Sequence, residues 1–169
     1  MNILETNRLV LRRLTLADAA DLYRIYSDPE TIKFMGKAPD SVEEEQSHIQ
    51  SHIAHHYEKN GVGLWATVLK ENNRFIGRCG LMRKQIEGVE EVEIAYLLDR
   101  AYWGKGLATE AAEAIIKHGY AKYGFKRIVA VIHPQNVASI RVAEKIGMKY
   151  ERDVLYGDMG KVALYALEV

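Results

Sequence analysis

The run Glu93-Ile94-Ala95-Tyr96-Leu97-Leu98-Asp99-Arg100-Ala101-Tyr102-Trp103-Gly104-Lys105-Gly106-Leu107-Ala108-Thr109-Glu110-Ala111 carries most of the information in this chain. The apolar residues up to Leu98 predict a strand, the next few a short loop, and the spacing from Leu107 onward an amphipathic helix. Glycines at 104 and 106 let several backbone N–H groups converge without side-chain obstruction. The start of the helix adds unsatisfied donors and a partial positive charge. Such a junction is a ready anion site, best suited to a phosphate or pyrophosphate. The small residues Ala108, Ala111 and Ala112 keep the first turns narrow enough for close approach. A plain tight turn from strand to helix explains the same glycines. Two common phosphate loops do not fit: Lys105 lies between the glycines rather than after a Gly-x-x-x-x-Gly spacing, and Thr109 stands where a dinucleotide fingerprint needs its third glycine.

Outward from this run, β-type segments are predicted at Leu9–Leu14, Leu64–Leu69, Phe75–Arg83, Glu91–Leu98 and Arg127–His133, with two more near 148–155 and 161–168. Turn residues at Asn72-Asn73 and Glu87-Gly88 favour antiparallel pairing in the middle of the chain. Helices are expected from Thr15 to about Ser27, briefly after Asp28-Pro29, from Ser41 to about Lys59, from Ala108 to Tyr123, and from Asn136 to Ile146 before Gly147. Ser41-Val42-Glu43-Glu44 reads as a capping box. The expected whole is one mixed α/β domain over residues 1–169, without repeats or linkers.

The 169 residues contain 23 Lys plus Arg and 23 Asp plus Glu, so the formal net charge is zero. A nucleic-acid or membrane-surface partner would call for a basic excess, so neither is expected. One cysteine, Cys79, allows no internal disulfide and no cysteine-rich zinc site. The first residues lack a secretory pattern, and no run approaches the ~20 apolar residues of a membrane span, so a cytoplasmic protein is expected.

Trp103-Gly104-Lys105-Gly106-Leu107-Ala108 resembles the pyrophosphate loop of the GNAT superfamily of N-acetyltransferases, and Tyr102 through Ala111 is similar to its RimJ/RimL-type branch. Trp103 departs from the Gln or Arg of the broad superfamily. The resemblance extends over nearly the whole chain: Glu5 to Arg12, Asp28-Pro29, Phe75-Ile76-Gly77, His133 through Ser139, and Glu144-Lys145-Ile146-Gly147-Met148. It implies a sheet flanked by helices whose central strands splay apart, with acetyl-CoA as co-substrate in the opening. By match, Tyr96, Leu97 and Leu98 would pair with the pantetheine arm as an added strand does, Trp103, Gly104, Lys105, Gly106, Leu107, Ala108 and Thr109 would hold the pyrophosphate, and Asn136 would reach the arm.

The implied reaction is direct attack of a neutral primary amine on the thioester in a ternary complex. It requires amine deprotonation, donors for the oxyanion, and two positioned substrates. An α-amine, with a pKa near ~8, is easier to deprotonate at neutral pH than a lysine near ~10.4. Glu93 is the candidate general base, on a strand where apolar neighbours would raise its pKa. The alternative is an outward, solvated glutamate beside Glu90 and Glu91. The superfamily's usual tyrosine acid is replaced by Ala143, and the resemblance puts Ser139 in position to hydrogen-bond the departing sulfur. Helix capping by Asn136, with Ser139 three residues on, is the structural alternative. Backbone N–H groups at Leu97 or Leu98 are the expected oxyanion donors.

Cys79 has no neighbouring histidine in sequence and reads as a packed strand residue rather than an acyl carrier. His48, His52 and His56 recur at spacing four and could chelate a metal, or form the polar face opposite Ile49, Ile53 and Tyr57; no metal is assigned. Glu43-Glu44-Glu45 reads as the acidic first turn of a helix. The acceptor, a protein N-terminal amine or a small-molecule amine, is expected to meet residues 23–40 and Tyr150 to Lys161, on a monomer or homodimer. A non-catalytic acyl-CoA sensor on the same fold is the competing reading.

Overall fold

The computed structural model describes residues 2–168. Eight strands, β1 (Asn2–Glu5), β2 (Leu9–Arg13), β3 (Leu64–Leu69), β4 (Arg74–Ile86), β5 (Val89–Leu98), β6 (Arg127–Ile132), β7 (Lys149–Leu155) and β8 (Lys161–Glu168), join in one sheet. Its spatial order is β1-β2-β3-β4-β5-β6-β8-β7. The main helices are α1 (Ala19–Tyr26), α2 (Pro29–Ile32), α3 (Val42–His52), α4 (Leu107–Tyr123) and α5 (Val137–Lys145). This is the mixed α/β sheet with flanking helices that the sequence predicts.

Every neighbouring pair is antiparallel except β5 and β6, which run parallel and register at a single position, Glu93 with Val129. Beyond that pair the strands part, and a cavity opens between Glu93–Tyr96 on one side and Ala130–Ile132 on the other. The hairpin of β4 and β5 holds an unbroken register from Gly77↔Leu98 to Ile86↔Val89. Without a bulge, alternation puts Glu91, Glu93, Ala95 and Leu97 on one face of β5 and Val92, Ile94 and Leu98 on the other. The second face packs with Leu107, Ala111, Ala112, Ile115 and Ile116 of α4. The first carries Leu97 into a cluster with Leu22 and Ile25 of α1 and Ile49 of α3.

A bulge in β4 prepares the opening. The register with β3 skips Ile76, and the Ile76 carbonyl instead accepts from Asp99 N–H at 2.8 Å. Gly77, next to it, has φ 151°, and a Cβ there would fall on the Leu97 carbonyl. Only glycine lets the two backbones approach this closely where the sheet begins to part.

Three departures from expectation have local causes. The four-residue strand β1, Asn-Ile-Leu-Glu, shows no alternation, and it forms by pairing with β2 across an irregular register. The helix expected to reach Lys59 changes to π-helical geometry at Ile53–Glu58. The wider turn brings Tyr57 beneath the sheet edge, where its hydroxyl donates to the Leu64 carbonyl and accepts from Leu14 N–H. At Thr15 the first turn is 3-10, with the Asp18 carboxylate reaching back to Thr15 N–H at 2.8 Å. Among the described residues no helix is long and apolar enough to cross a membrane.

Candidate active site

The glycine junction forms as its sequence requires. Gly104 and Gly106 adopt φ 71° and 74°, a left-handed conformation that favours glycine, and Gly106 caps the N-terminus of α4. The first main-chain bond of the helix runs from Glu110 N–H to the Gly106 carbonyl at 3.0 Å. Among the described residues, the N–H groups of 104–109 have no main-chain acceptor, so six donors gather at the positive end of a helix dipole. Leu107, 3% exposed, anchors the turn in the core. Trp103 ties the loop to the end of β5, its indole Nε1 donating to the Leu98 carbonyl at 2.8 Å.

A clamp that the sequence reading did not identify fixes the same loop from outside. Arg8 Nη1 donates to the Lys105 carbonyl at 2.9 Å, and Arg8 Nε donates to Glu110 Oε2 at 2.6 Å. Glu110 Oε1 also accepts from Thr6 Oγ1 at 2.6 Å and Arg8 N–H at 2.8 Å. Nothing local in the sequence signals a contact spanning more than a hundred residues.

The cavity between β5 and β6, about 180 Å³, is lined by Glu93, Tyr96, Asn136, Ser139 and Tyr156. Glu93 is only 5% exposed, and Tyr156 Oη donates to its Oε2 at 2.6 Å. Burial raises the carboxyl pKa, and the Tyr156 hydrogen bond partly offsets that rise. The solvated alternative is therefore excluded for Glu93. It is excluded for Glu91 too, which is buried against the Arg127 guanidinium at 3.1 Å. Across the cavity, Tyr96 Oη donates to the Ser139 carbonyl at 2.9 Å, and Asn136 Oδ1 caps α5 by accepting from Ser139 N–H at 3.2 Å. Phe34 stacks on His133 with ring centroids 5.0 Å apart, so the segment after α2 meets the end of β6 at this cavity. The arrangement offers an anion cradle at the end of β5 and a buried carboxylate beside an open strand edge.

The comparisons with known proteins agree with this geometry. Residues 8–149 match the family model described as an acetyltransferase (GNAT) domain. The chain belongs to the GNAT acetyltransferase family. The N-acetyltransferase p20 of Bacillus licheniformis is 35% identical over 153 residues, covering 89% of this chain and 84% of p20. The crystal structure of a GNAT-family acetyltransferase from Bacillus anthracis superposes with a TM-score of 0.81 at 25% identity, covering 99% of this chain and 98% of that one. RimL, a ribosomal L7/L12 α-N-protein acetyltransferase solved in complex with coenzyme A, matches in fold with a TM-score of 0.81 at 19% identity over 100% of this chain and 98% of its own.

Two other groups in this GNAT acetyltransferase are structural. Cys79 is fully buried in mid-sheet opposite Tyr96, and burial pushes its thiol up to about 11, the reverse of an activated nucleophile. His52 does not lie on an exposed polar face. At the end of α3 its ring turns toward β3, where Nε2 accepts from Leu64 N–H at 2.8 Å and burial lowers its pKa to about 3. Its ring stacks on His56 at 4.5 Å, so it acts as a neutral wedge between α3 and β3.

Proposed function

We propose that the chain transfers the acetyl group of acetyl-CoA to a primary amine by direct attack in a ternary complex, with Glu93 as general base. The observation that carries this reading is the buried Glu93 carboxylate, held by Tyr156 in the same cavity as Ser139 and Asn136. A raised pKa makes the carboxylate a better proton acceptor. The free N–H groups of Gly104 to Thr109 suit the pyrophosphate of coenzyme A, and Trp103 and Lys105 complete that loop. Tyr96, Leu97 and Leu98 lie on the open edge of β5, where the pantetheine arm would extend the sheet, with Asn136 reaching it from α5. The Leu98 carbonyl already accepts from Trp103, so Leu98 serves the loop as well as the ligand. A donor from Ser139 to the departing thiolate completes the set.

The acceptor is a protein N-terminal amine or a small-molecule amine. Acetyl transfer to a panel of both, read by thiol release, tests the reading. Glu93→Gln should lower kcat/KM by about 10²–10⁴ and Ser139→Ala by a smaller factor. Full kcat/KM in both variants would remove these roles.

A further inference from the structure

A second recess, about 200 Å³, lies beside the cavity and shares Met35 and Gly36 with it. Its floor is Glu45 of α3, which is 1% exposed although it sits in what reads as a solvated acidic first turn. Glu45 Oε2 lies 3.4 Å from His48 Nδ1, but the buried Oε1 has no hydrogen-bond partner. An unpaired buried carboxylate oxygen is costly, so it marks a place where a donor belongs. Arg78 of β4 lines the same recess with its guanidinium carbon 5.3 Å from the Tyr26 ring centroid. Among the described residues it pairs with no carboxylate within 4 Å. Lys37, at the rim, is already paired with Asp40 at 2.8 Å.

The recess thus holds a carboxylate oxygen without a hydrogen-bond partner and a guanidinium whose charge acts on that carboxylate from beyond ion-pair distance. A cation would meet Arg78 and an anion would meet Glu45. A neutral group with its own donor and acceptor suits both, and an amide carries the two side by side. We infer that the Tyr26–Glu45–Arg78 recess is an acceptor-recognition site that binds an amide of the amine substrate, its N–H to Glu45 Oε1 and its carbonyl to Arg78. The site rests on the acetyltransferase reading for its neighbour, the Glu93 cavity, which the acceptor enters past Met35 and Gly36.

Calorimetric binding to the coenzyme A-bound protein tests the site without turnover. The probes are tripeptide amides with free N-termini and varied first residues, glycinamide as a small amide-bearing amine, and n-butylamine. At least one amide-bearing probe should bind tenfold or more tighter than n-butylamine. Preference for the tripeptides would identify a polypeptide acceptor, and equal preference for glycinamide a small molecule. Glu45→Met and, independently, Arg78→Met should erase the preference, while Glu45→Gln, which keeps a carbonyl acceptor, retains part of it. An unchanged coenzyme A thermal shift confirms folding of each variant. Equal binding of amides and n-butylamine by the parent protein, or a preference that survives either methionine variant, would overturn the site. Loss of acetyl transfer with the binding pattern intact would instead count against the transferase reading alone.

Discussion

The Tyr156 hydroxyl donates to Glu93 Oε2 at 2.6 Å, joining the loop after β7 to the strand edge where the sheet opens. The contact stabilises the ionised carboxylate against burial, so it sets the pH at which Glu93 can accept a proton.

The sign of the resulting pH dependence is fixed. A base must be deprotonated to act, so kcat/KM should rise with pH through an apparent pKa above the ordinary carboxylate value of 4.5. Tyr156→Phe removes the group that favours the ionised form, and should move this limb to higher pH. In Glu93→Gln the limb should vanish, leaving only that of the amine. A pH–rate profile of the three proteins checks this, and a limb unmoved in Tyr156→Phe would contradict it.

Glu110→Ala should loosen the glycine loop. It removes the acceptor for Thr6, for Arg8 N–H and for the Arg8 guanidinium that holds the Lys105 carbonyl. The KM for acetyl-CoA is expected to rise about tenfold with kcat within roughly threefold. Steady-state kinetics at saturating amine would show this. A fall in kcat with KM unchanged would place the clamp elsewhere in the reaction.

Cys79→Ala should keep kcat within about threefold, because a thiol held up to about 11 by burial is not the attacking group. Intact-protein mass spectra after mixing with acetyl-CoA, with no amine present, should show no acetyl adduct on Cys79. A stoichiometric thioester would replace direct transfer with a two-step route.

Arg127 concentrates stability at the far end of the sheet. Its guanidinium contacts Glu91 at 3.1 Å, Glu151 at 2.8 Å and Glu168 at 2.9 Å, binding β5, β6, β7 and β8 together. Arg127→Met leaves Glu91 buried and unpaired, which should cost about 3 kcal/mol. For a domain of this size the midpoint of thermal unfolding should fall by roughly 6–12 °C. A fall of less than about 2 °C would mean the carboxylates find other partners.

The strands and the glycine junction were legible because periodicity and turn residues act locally. β3 runs Leu64–Leu69 as expected, and α4 opens at Leu107, directly after Gly106. Glu93 was legible as a candidate, but its face was not, since one slipped residue or one bulge would reverse it. The unbroken register with β4 decides the matter. The surroundings of Glu45 and His52 are hidden in the sequence for a related reason. Helical spacing places them on polar surfaces, whereas the packing of α3 buries Glu45 and leaves His52 half-buried with its ring against the Leu64 main chain. The partners of Glu93, Glu91 and Glu110 lie 36 to 104 residues away, beyond any local signal.

The most direct test of coenzyme A binding by the 103–109 loop is thermal unfolding with saturating acetyl-CoA, coenzyme A or NAD. A ligand at 100 times its Kd adds about 2.7 kcal/mol, which at roughly 2–4 °C per kcal/mol gives a rise of about 5–10 °C. Acetyl-CoA and coenzyme A should both produce it, and NAD should not. No shift with either coenzyme A species would contradict the account.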